Sequence, residues 1–359
     1  MCTQCIPKIN EEKVDQFARQ MIGHLNSAGI ALMTSIGHRT GLFDAMAKMD
    51  FSTSKEIAAA AGLNERYVRE WLGTMSTGRI VEHDAKTDKF HLPAEHAMLL
   101  TRAAVPNNIA IPMQWVSVLG GVEDEIVECF KSGGGVPYEK YNRFHEVMAE
   151  ESNQTAVVPL KEHLLPLVDG LKAKLEKGIE VLDVGCGSGR ALIAMAVHYP
   201  KSQFTGYDLC EEAVIAARNY AKAEGLKNVT FKTVDVTKFD DVEKFDLIFT
   251  FDAVHDQAKP DVVLKNIFNA LKPGGLYFMQ DIAGSSSVAG NMDHMLAPFI
   301  YTISCMHCMS VSLSQGGMGL GAMWGKEVAL KMLAEAGFTK VDVEKLDHDI
   351  INYYYLVRK

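Results

Sequence analysis

The sequence has little cysteine, no long apolar run and no large excess of either charge, and each shortage excludes a class of protein. Seven cysteines in 359 residues are too few, and odd in number, for a disulfide scaffold. The longest nearly apolar stretch, 296–309, is shorter than the roughly 18 residues that a membrane-spanning helix requires. A net charge of −9 provides no overall attraction to nucleic acid or anionic lipid.

The start of the chain also lacks the apolar core of a secretory signal. We therefore expect a soluble, cytoplasmic protein with neither a membrane nor a nucleic-acid partner. Its 48% hydrophobic and 23% charged residues are typical of folded domains, and its length suggests about two of them. The patterns below predict a helical domain over 1–105, a helical connector over 106–170 and a larger domain over 171–359.

The first hundred residues contain clear signals for helix starts and stops. Apolar residues recur at helical spacing from Val14, and a second short helix is expected over 35–47 with a break near Gly41. Thr53 and Glu56 have the spacing of a capping box. The helix that they open is expected to end at Gly62, and the next helix to begin at Asn64.

The remainder of this region completes a known pattern. The helix after Asn64 is predicted to place four apolar side chains on one face: Tyr67, Val68, Trp71 and Leu72. Two short strands, 80–82 and 89–92, flank a turn-rich segment. This order of helices followed by a hairpin indicates a winged-helix-like domain.

From residue 179 onward, apolar runs of strand length alternate with helical segments. The runs are IEVLDVG, SQFTGYD, NVTFKTVD, FDLIFTFD and LYFMQDI. Such alternation is typical of a parallel sheet covered by helices, which is the Rossmann-like α/β architecture. No helix separates 341–346 from 352–357, so these two segments are predicted to pair antiparallel at one edge.

A glycine-rich turn follows the first of these strands. The segment Asp183-Val-Gly185-Cys-Gly187-Ser-Gly189 brings backbone and helix N-terminal amides close to a ligand. The dinucleotide fingerprint would need glycine at 190, where this chain has Arg190. The motif therefore differs from that of a dinucleotide site, and another adenosyl ligand must be considered. S-adenosylmethionine has no pyrophosphate but carries an ammonium group, for which Asp183 is a suitable partner.

Two further acids follow the next two strands. Asp208 is placed to accept hydrogen bonds from both ribose hydroxyls, and Asp235 to accept from an adenine amino group beside Val236. A single strand-end aspartate is often no more than a helix cap. Three of them together with the glycine motif favour an adenosyl ligand.

These motifs resemble those of class I S-adenosylmethionine-dependent methyltransferases. EVLDVGCGSG, FTGYD, VTFKTVDV and ALKPGG are similar to that family's successive motifs, over about 179–359. The resemblance implies a seven-stranded, mostly parallel sheet with an antiparallel last strand. It also implies a set of cofactor contacts: Asp183, Gly185, Cys186, Gly187, Gly189, Asp208, Leu209, Asp235, Val236 and Phe251.

The loop after the fourth strand contains the candidate base. His255 lies where open α/β sheets bind ligands, and its ordinary pKa suits deprotonation of a hydroxyl or thiol. The segment resembles the His-Asp segment of plant-type small-molecule O-methyltransferases, which implies a catalytic role for His255 beside Asp256. Those enzymes have tryptophan where this chain has Gln257, so a bacterial and animal winged-helix group with His-Asp-Gln is the nearer resemblance. A gating or capping role for His255 is the alternative, and no acidic partner for it is evident.

An insertion over 283–325 is rich in methionine, which adapts to varied ligands. Its place after the fifth strand predicts that it covers the acceptor, although ordinary helix packing explains the pattern nearly as well. The predicted acceptor-binding residues are Asp252, His255, Met295, Phe299, His307 and Trp324.

Two Cys-x-x-Cys pairs, Cys2 with Cys5 and Cys305 with Cys308, have a spacing that zinc sites use. They are 300 residues apart in sequence, so free thiols are favoured and no metal is expected.

The sequence thus predicts a homodimer that transfers a methyl group from S-adenosylmethionine to oxygen or sulfur of a small molecule. The resemblance implies that the N-terminal domain serves dimerisation. One alternative is a DNA-associated regulator that binds S-adenosylmethionine. It is disfavoured because residues 1–100 hold eleven Lys and Arg against twelve Asp and Glu. A methyltransferase acting on protein or tRNA is the other alternative.

Overall fold

The computed structural model describes residues 9–347 and 349–359. The chain forms two compact units, Met1–Ser117 and Val118–Lys359. The predicted domain boundaries at 105 and 170 stay predictions, because compactness alone does not test them.

The first unit is mostly helical. Its elements in chain order are α1 (Glu11–Thr40), α2 (Leu42–Met46), α3 (Ser54–Ala61), α4 (Glu65–Thr77), β1 (Glu82–Asp84), β2 (Lys89–His91) and α5 (Ala94–Leu100). Strands β1 and β2 pair antiparallel, as a hairpin wing requires. Helix α6 (Trp115–Gly120) leads from this unit into the second.

The predicted helix boundaries at Thr53, Gly62 and Asn64 are confirmed. The Thr53 amide donates to a Glu56 carboxylate oxygen at 2.8 Å, and the Glu56 amide donates to Thr53 Oγ1 at 3.3 Å. Gly62 ends α3 with φ +67°, a left-handed conformation that favours glycine. Asn64 accepts from the Arg66 amide at 3.0 Å.

Other expectations in this unit need correction. The segment 35–40 is the last part of one 30-residue helix, α1, and not the start of a separate helix; only the break at Gly41 is as predicted. Tyr67 is 80% exposed, although Val68, Trp71 and Leu72 are buried together as expected. The reason is that a tyrosine at the edge of an apolar stripe satisfies its hydroxyl in water. Strand β1 begins at Glu82, two residues later than predicted.

The second unit alternates strands and helices. Before the sheet begins it contains α7 (Glu123–Ser132), α8 (Phe144–Ser152) and α9 (Leu171–Lys177), with short 3₁₀ and π turns between them. The strands are β3 (Glu180–Val184), β4 (Gln203–Asp208), β5 (Val229–Thr233), β6 (Phe245–Phe251), β7 (Leu271–Ile282), β8 (Lys340–Leu346) and β9 (Asp349–Arg358). The later helices are α10 (Arg190–His198), α11 (Glu211–Ala223), α12 (Pro260–Ala270), α13 (Ala297–Ile303), α14 (Met309–Ser314) and α15 (Gly325–Ala336).

These seven strands form one sheet in the order β5-β4-β3-β6-β7-β9-β8. All neighbouring pairs from β5 to β7 are parallel, whereas β9 runs antiparallel to both β7 and β8. The predicted architecture is therefore confirmed, including the antiparallel pair at the edge. Because the parallel strands point the same way, their carboxyl ends share one edge of the sheet.

Both faces of the sheet are buried. One apolar cluster packs α12 and α15 against residues such as Ile248 and Tyr277, and the other packs α10 and α11 against residues such as Phe249 and Phe278. Alternate strand residues thus face opposite helix layers, which explains why the strands read as continuous apolar runs. Within residues 9–347 and 349–359, no helix has the length and apolar character needed to cross a membrane.

Candidate active site

The glycine-rich turn joins β3 to α10 at the carboxyl edge of the sheet. Gly185, Gly187 and Gly189 all have positive φ, at +80°, +52° and +72°. A Cβ at Gly187 would meet no atom within 4 Å, so the backbone there is open to an approaching ligand. Cys186 lies inside the same turn, and its amide and that of Gly185 donate to the Tyr207 carbonyl. The turn is thereby fixed to β4.

Asp183 lies within β3, just ahead of this turn. Its side chain is buried at 2% exposure, and its Oδ1 has no hydrogen-bond partner among the described residues. Burial, together with the nearby Asp208 carboxylate, raises the pKa of Asp183 to about 8. A buried carboxylate with a vacant acceptor is the complement of an ammonium group.

Asp208 ends β4 and accepts two backbone hydrogen bonds. The Gly187 amide donates to Oδ2 at 2.7 Å, and the Cys210 amide donates to Oδ1 at 2.8 Å. Burial raises the pKa of Asp208, although both amide bonds act in the opposite direction. Each carboxylate oxygen retains a second lone pair, which suits a pair of vicinal hydroxyls. The adjacent Leu209 is 57% exposed.

Asp235 is engaged locally. It lies two residues beyond the end of β5, where Oδ1 accepts from the Thr237 amide at 3.0 Å and from its hydroxyl at 2.7 Å. Its Oδ2 forms an ion pair with Lys238 at 2.7 Å. These contacts lower its pKa. The neighbouring Val236 is buried in the core. Because Thr237 and Lys238 engage both oxygens of Asp235, the adenine contact suggested for Asp235 stays a prediction.

His255 lies on the loop between β6 and α12, and the structure provides the acidic partner that the sequence did not reveal. His255 Nδ1 and Asp281 Oδ1 are 2.7 Å apart, and both side chains are almost fully buried. Asp281 Oδ1 also accepts from Trp324 Nε1 at 2.9 Å and from the Ile282 amide at 2.8 Å. Asp281 is therefore fixed from three directions and orients the imidazole.

The electrostatics of His255 follow from these neighbours. Burial by itself lowers its pKa, but the carboxylates of Asp281 and Asp256 outweigh burial, and the net pKa lies well above the ordinary value. His255 Nε2 is 3.3 Å from Asp256 Oδ1. The ring is therefore held in one orientation and binds a proton tightly, and it can act as a general base from its deprotonated form.

Phe251 and Asp252 close the end of β6. Phe251 stacks on Phe249 with ring centroids 5.3 Å apart. Asp252 has φ +49°, a strained conformation that often accompanies functional sites. Its Oδ2 accepts from Gln280 Nε2 at 3.0 Å, while Oδ1 is buried without a partner in the described part of the chain. Burial raises the pKa of Asp252 well above its usual range.

His307 belongs to an aromatic cluster that the sequence reading missed. Its ring stacks on Phe144 at 4.3 Å, and Tyr138 and Tyr141 meet it edge-on. Burial lowers the pKa of His307 to about 4, so the ring is neutral. Tyr138 also donates to Asp256 Oδ2 at 3.3 Å, which joins this cluster to the loop that contains His255.

A glycine in the preceding segment allows this arrangement. A Cβ at Gly135 would lie 1.8 Å from the Ser310 carbonyl oxygen, so only glycine permits this close approach. The Val136 amide then donates to Ser310 Oγ at 2.8 Å. The glycine run beside the aromatic Tyr138–Phe144 stretch was the available signal in the sequence.

The residues predicted from the insertion divide by burial. Trp324 is buried against Asp281 and Phe299 is half-buried, whereas the Met295 side chain is 82% exposed. Cys308 is buried and Cys305 half-buried, both as free thiols. The other Cys-x-x-Cys pair, Cys2 with Cys5, lies outside the described residues.

Comparison with known proteins identifies both domains. Residues 28–102 match the Rv2258c-like winged HTH domain, and residues 175–337 match a methyltransferase domain. The chain is 28% identical to (S)-coclaurine N-methyltransferase of Papaver somniferum over 147 residues, which are 41% of this chain and 42% of that protein. It is 35% identical to the ubiquinone biosynthesis O-methyltransferase of Coxiella burnetii over 109 residues, 30% of this chain and 44% of that protein. The chain thus spans less than half of these relatives.

Two solved structures share the fold over almost the whole chain. Human N-acetylserotonin methyltransferase, solved in complex with S-adenosylmethionine, superposes with a TM-score of 0.71 at 17% identity, covering 99% of each chain. An O-methyltransferase family protein from Burkholderia thailandensis gives a TM-score of 0.65 at 15% identity, covering 98% of each. The family matches over 28–102 and 175–337 show that the chain combines a winged helix-turn-helix domain with a methyltransferase domain.

Proposed function

We propose that this two-domain protein transfers a methyl group from S-adenosylmethionine to an oxygen or sulfur atom of a small molecule. The observation that carries the proposal is the arrangement around the glycine-rich turn. Asp183 is buried, and its Oδ1 has no hydrogen-bond partner in the part of the chain that the structure describes. The backbone at Gly187 is open, and the Gly187 amide donates a hydrogen bond to Asp208. This donor and acceptor set fits the ammonium and ribose of an adenosyl amino acid.

In this proposal Asp183 pairs with the ammonium group and Asp208 accepts from the ribose hydroxyls. Asp235 remains the candidate adenine contact, beside Val236, although Lys238 and Thr237 share its oxygens. The bound cofactor supplies an electrophilic sulfonium methyl. What the chain supplies is orientation of the acceptor and removal of its proton.

His255 is the proposed general base. Asp281 holds Nδ1, so Nε2 is the atom that takes the acceptor proton. Phe299, His307 and Trp324 are the proposed walls of the acceptor pocket, with Asp252 and Met295 as further candidates. The aromatic cluster of Tyr138, Tyr141 and Phe144 favours a flat, small acceptor over a protein or tRNA segment.

We also propose that α1 mediates homodimerisation. Four apolar side chains at helical spacing on this helix are at least half exposed: Val14, Phe17, Met21 and Leu25. Such a stripe is costly in water unless it is covered. Residues 1–100 contain eleven Lys and Arg against twelve Asp and Glu, so they offer no excess of positive charge to the phosphates of DNA. DNA is therefore disfavoured as the partner that covers this stripe.

The dimer is tested by mass measurement in solution. Replacing Phe17 and Met21 together by glutamate is expected to halve the mass measured by light scattering. Tyr67→Glu is the matched control, because Tyr67 is also an exposed apolar side chain but lies on a different helix. A wild-type monomer, or a dimer unaffected by the pair of substitutions, would contradict this assignment.

The methyl donor is tested by calorimetry with S-adenosylmethionine and S-adenosylhomocysteine. We expect binding on the order of −8 kcal/mol that Asp208→Ala weakens at least about a hundredfold. Small hydroxyl and thiol compounds are then screened for methylation, with His255→Ala as the inactive control. An absence of cofactor binding by the wild type would refute the proposed function.

A further inference from the structure

Three potential metal ligands of different kinds meet beside the candidate base. His255, Asp256 and Cys308 each offer one ligand atom, and these atoms all lie within 4.8 Å of one another. His255 Nε2 and Asp256 Oδ1 are 3.3 Å apart. Ligands bound at about 2.0–2.2 Å around a tetrahedral zinc ion are separated by about 3.3–3.5 Å. The spacing between His255 and Asp256 is therefore that of two ligands around one ion, and Cys308 lies within reach of the same ion.

We propose that His255 Nε2, Asp256 Oδ1 and Cys308 Sγ form a site for a thiophilic divalent transition-metal ion such as Zn²⁺. Nitrogen, oxygen and thiolate sulfur together suit Zn²⁺ and exclude Mg²⁺ and Ca²⁺, which select oxygen alone. Three protein ligands leave the fourth tetrahedral position open, as in zinc sites that bind an exchangeable molecule.

The surroundings of the histidine support this assignment. Asp281 holds Nδ1 at 2.7 Å and is fixed by Trp324 and the Ile282 amide. A carboxylate on the distal nitrogen is the common arrangement behind metal-bound histidine, because it fixes the tautomer and the ring orientation. The Nε2 lone pair is thus directed at the other two ligands.

The carboxylate is also available. Asp256 Oδ2 accepts from Tyr138 at 3.3 Å, whereas Oδ1 is buried, accepts no hydrogen bond among residues 9–347 and 349–359, and lies 3.3 Å from His255 Nε2. A buried acceptor without a donor is costly unless something else satisfies it. A metal ion at this position supplies that partner.

Cys308 reaches the cluster because of a local irregularity in its helix. It ends a single π-helical turn, Ser304–Cys308, inserted between α13 and α14, and such turns recur at functional sites. Its side chain is buried, whereas Cys305, three residues earlier, is half-exposed and outside the cluster.

Metal binding involves no redox change. The thiol proton of Cys308 and the proton held on His255 Nε2 leave to solvent as the two metal bonds form, and Nε2 then donates its lone pair to the ion. Because the same lone pair would accept the proton of a methyl acceptor, metal binding and general-base action exclude each other. This consequence rests on the proposed function: an ion bound here inhibits methyl transfer.

The test uses the full chain, stripped with a chelator, in a background that carries Cys2→Ser and Cys5→Ser. Titration with Co²⁺ under reducing conditions is expected to give a near-ultraviolet thiolate charge-transfer band that saturates at one equivalent and disappears on adding Zn²⁺. Cys308→Ser should abolish the band, and Cys305→Ser, the matched control, should retain it.

A second variant keeps the test decisive if Cys308→Ser does not fold. Asp256→Asn leaves the thiol in place and should weaken Co²⁺ binding at least about tenfold. An absence of stoichiometric binding, or a thiolate band that survives Cys308→Ser, would overturn the proposal. Cofactor calorimetry on the same samples is independent of this result, so failure of the metal site and failure of the methyltransferase assignment are distinguishable.

Discussion

Replacing Asp183 by asparagine should stabilise the free protein while removing its proposed affinity for the cofactor. The carboxylate is buried and its Oδ1 lacks a partner within the described residues. Its pKa rises from 3.8 to about 8 on folding. A raised carboxyl pKa means that the folded state binds the proton more tightly than the unfolded state, so ionisation destabilises the fold.

The sign and the pH window follow from those two values. Below pH 3.8 the group is protonated in both states and costs nothing. Between pH 3.8 and 8 the free energy of unfolding falls by about 1.4 kcal/mol per pH unit, and above pH 8 the loss is complete. At pH 7 the cost is on the order of 4 kcal/mol. Asparagine has the same size and no charge, so Asp183→Asn should recover most of this amount.

The measurement is urea denaturation between pH 5 and 9. With a slope of about 2–3 kcal/mol per molar urea, the midpoint of the variant should exceed that of the wild type by more than about 1 M at pH 8. The difference should diminish toward pH 5. Asp235→Asn is the control, because Asp235 has a lowered pKa and an ion pair with Lys238, and its loss should not stabilise. Parallel wild-type and Asp183→Asn midpoints across this range would refute the reasoning.

Three further outcomes are expected. Asp208→Ala should weaken S-adenosylmethionine binding at least about a hundredfold by calorimetry, because two backbone amides lose their common acceptor. Asp281→Asn should lower turnover about 10²-fold or more while cofactor affinity is unchanged, since Asp281 orients His255 and Trp324, neither of which is a proposed cofactor contact; an equal loss of cofactor affinity would contradict this. Gly37→Ala should cost about 1–3 kcal/mol in urea denaturation, because its Cβ would meet the rings of Phe43 and Trp71 at 2.7 Å.

The parts of the fold that were predictable from the sequence depend on short-range physics. The capping box at Thr53 and the left-handed stop at Gly62 involve residues within one turn of each other, so the sequence contains both partners. The five parallel strands and the glycine-rich turn were predictable because burial on both faces imposes continuous apolar runs. Tyr67 was wrongly assigned to the buried face of its helix, because helical periodicity in the sequence does not show where the packed stripe ends.

The candidate site was only partly predictable, because its decisive pairs join distant parts of the chain. His255 and Asp281 are 26 residues apart and meet only because β6 and β7 are adjacent and parallel. Tyr138 and Asp256 are 118 residues apart. Asp281 is the last residue but one of the strand run LYFMQDI, so strand-end acids beyond the first three were the signal to consider. No periodicity indicates Phe144 as the partner of His307.

The buried carboxylates at this edge give the site its physical character. Asp183, Asp252 and Asp281 each have a buried oxygen without a partner among the described residues, and burial raises the pKa of the first two. Groups arranged this way destabilise the free chain, so they persist where a ligand compensates them. Such a ligand must bring positive charge or hydrogen-bond donors, which under the proposed function are the ammonium and hydroxyls of S-adenosylmethionine at Asp183 and Asp208. The buried negative charge that destabilises the free edge is thus the same charge that is proposed to attract a cationic cofactor. A substitution that removes this charge should therefore stabilise the free chain and weaken cofactor binding together.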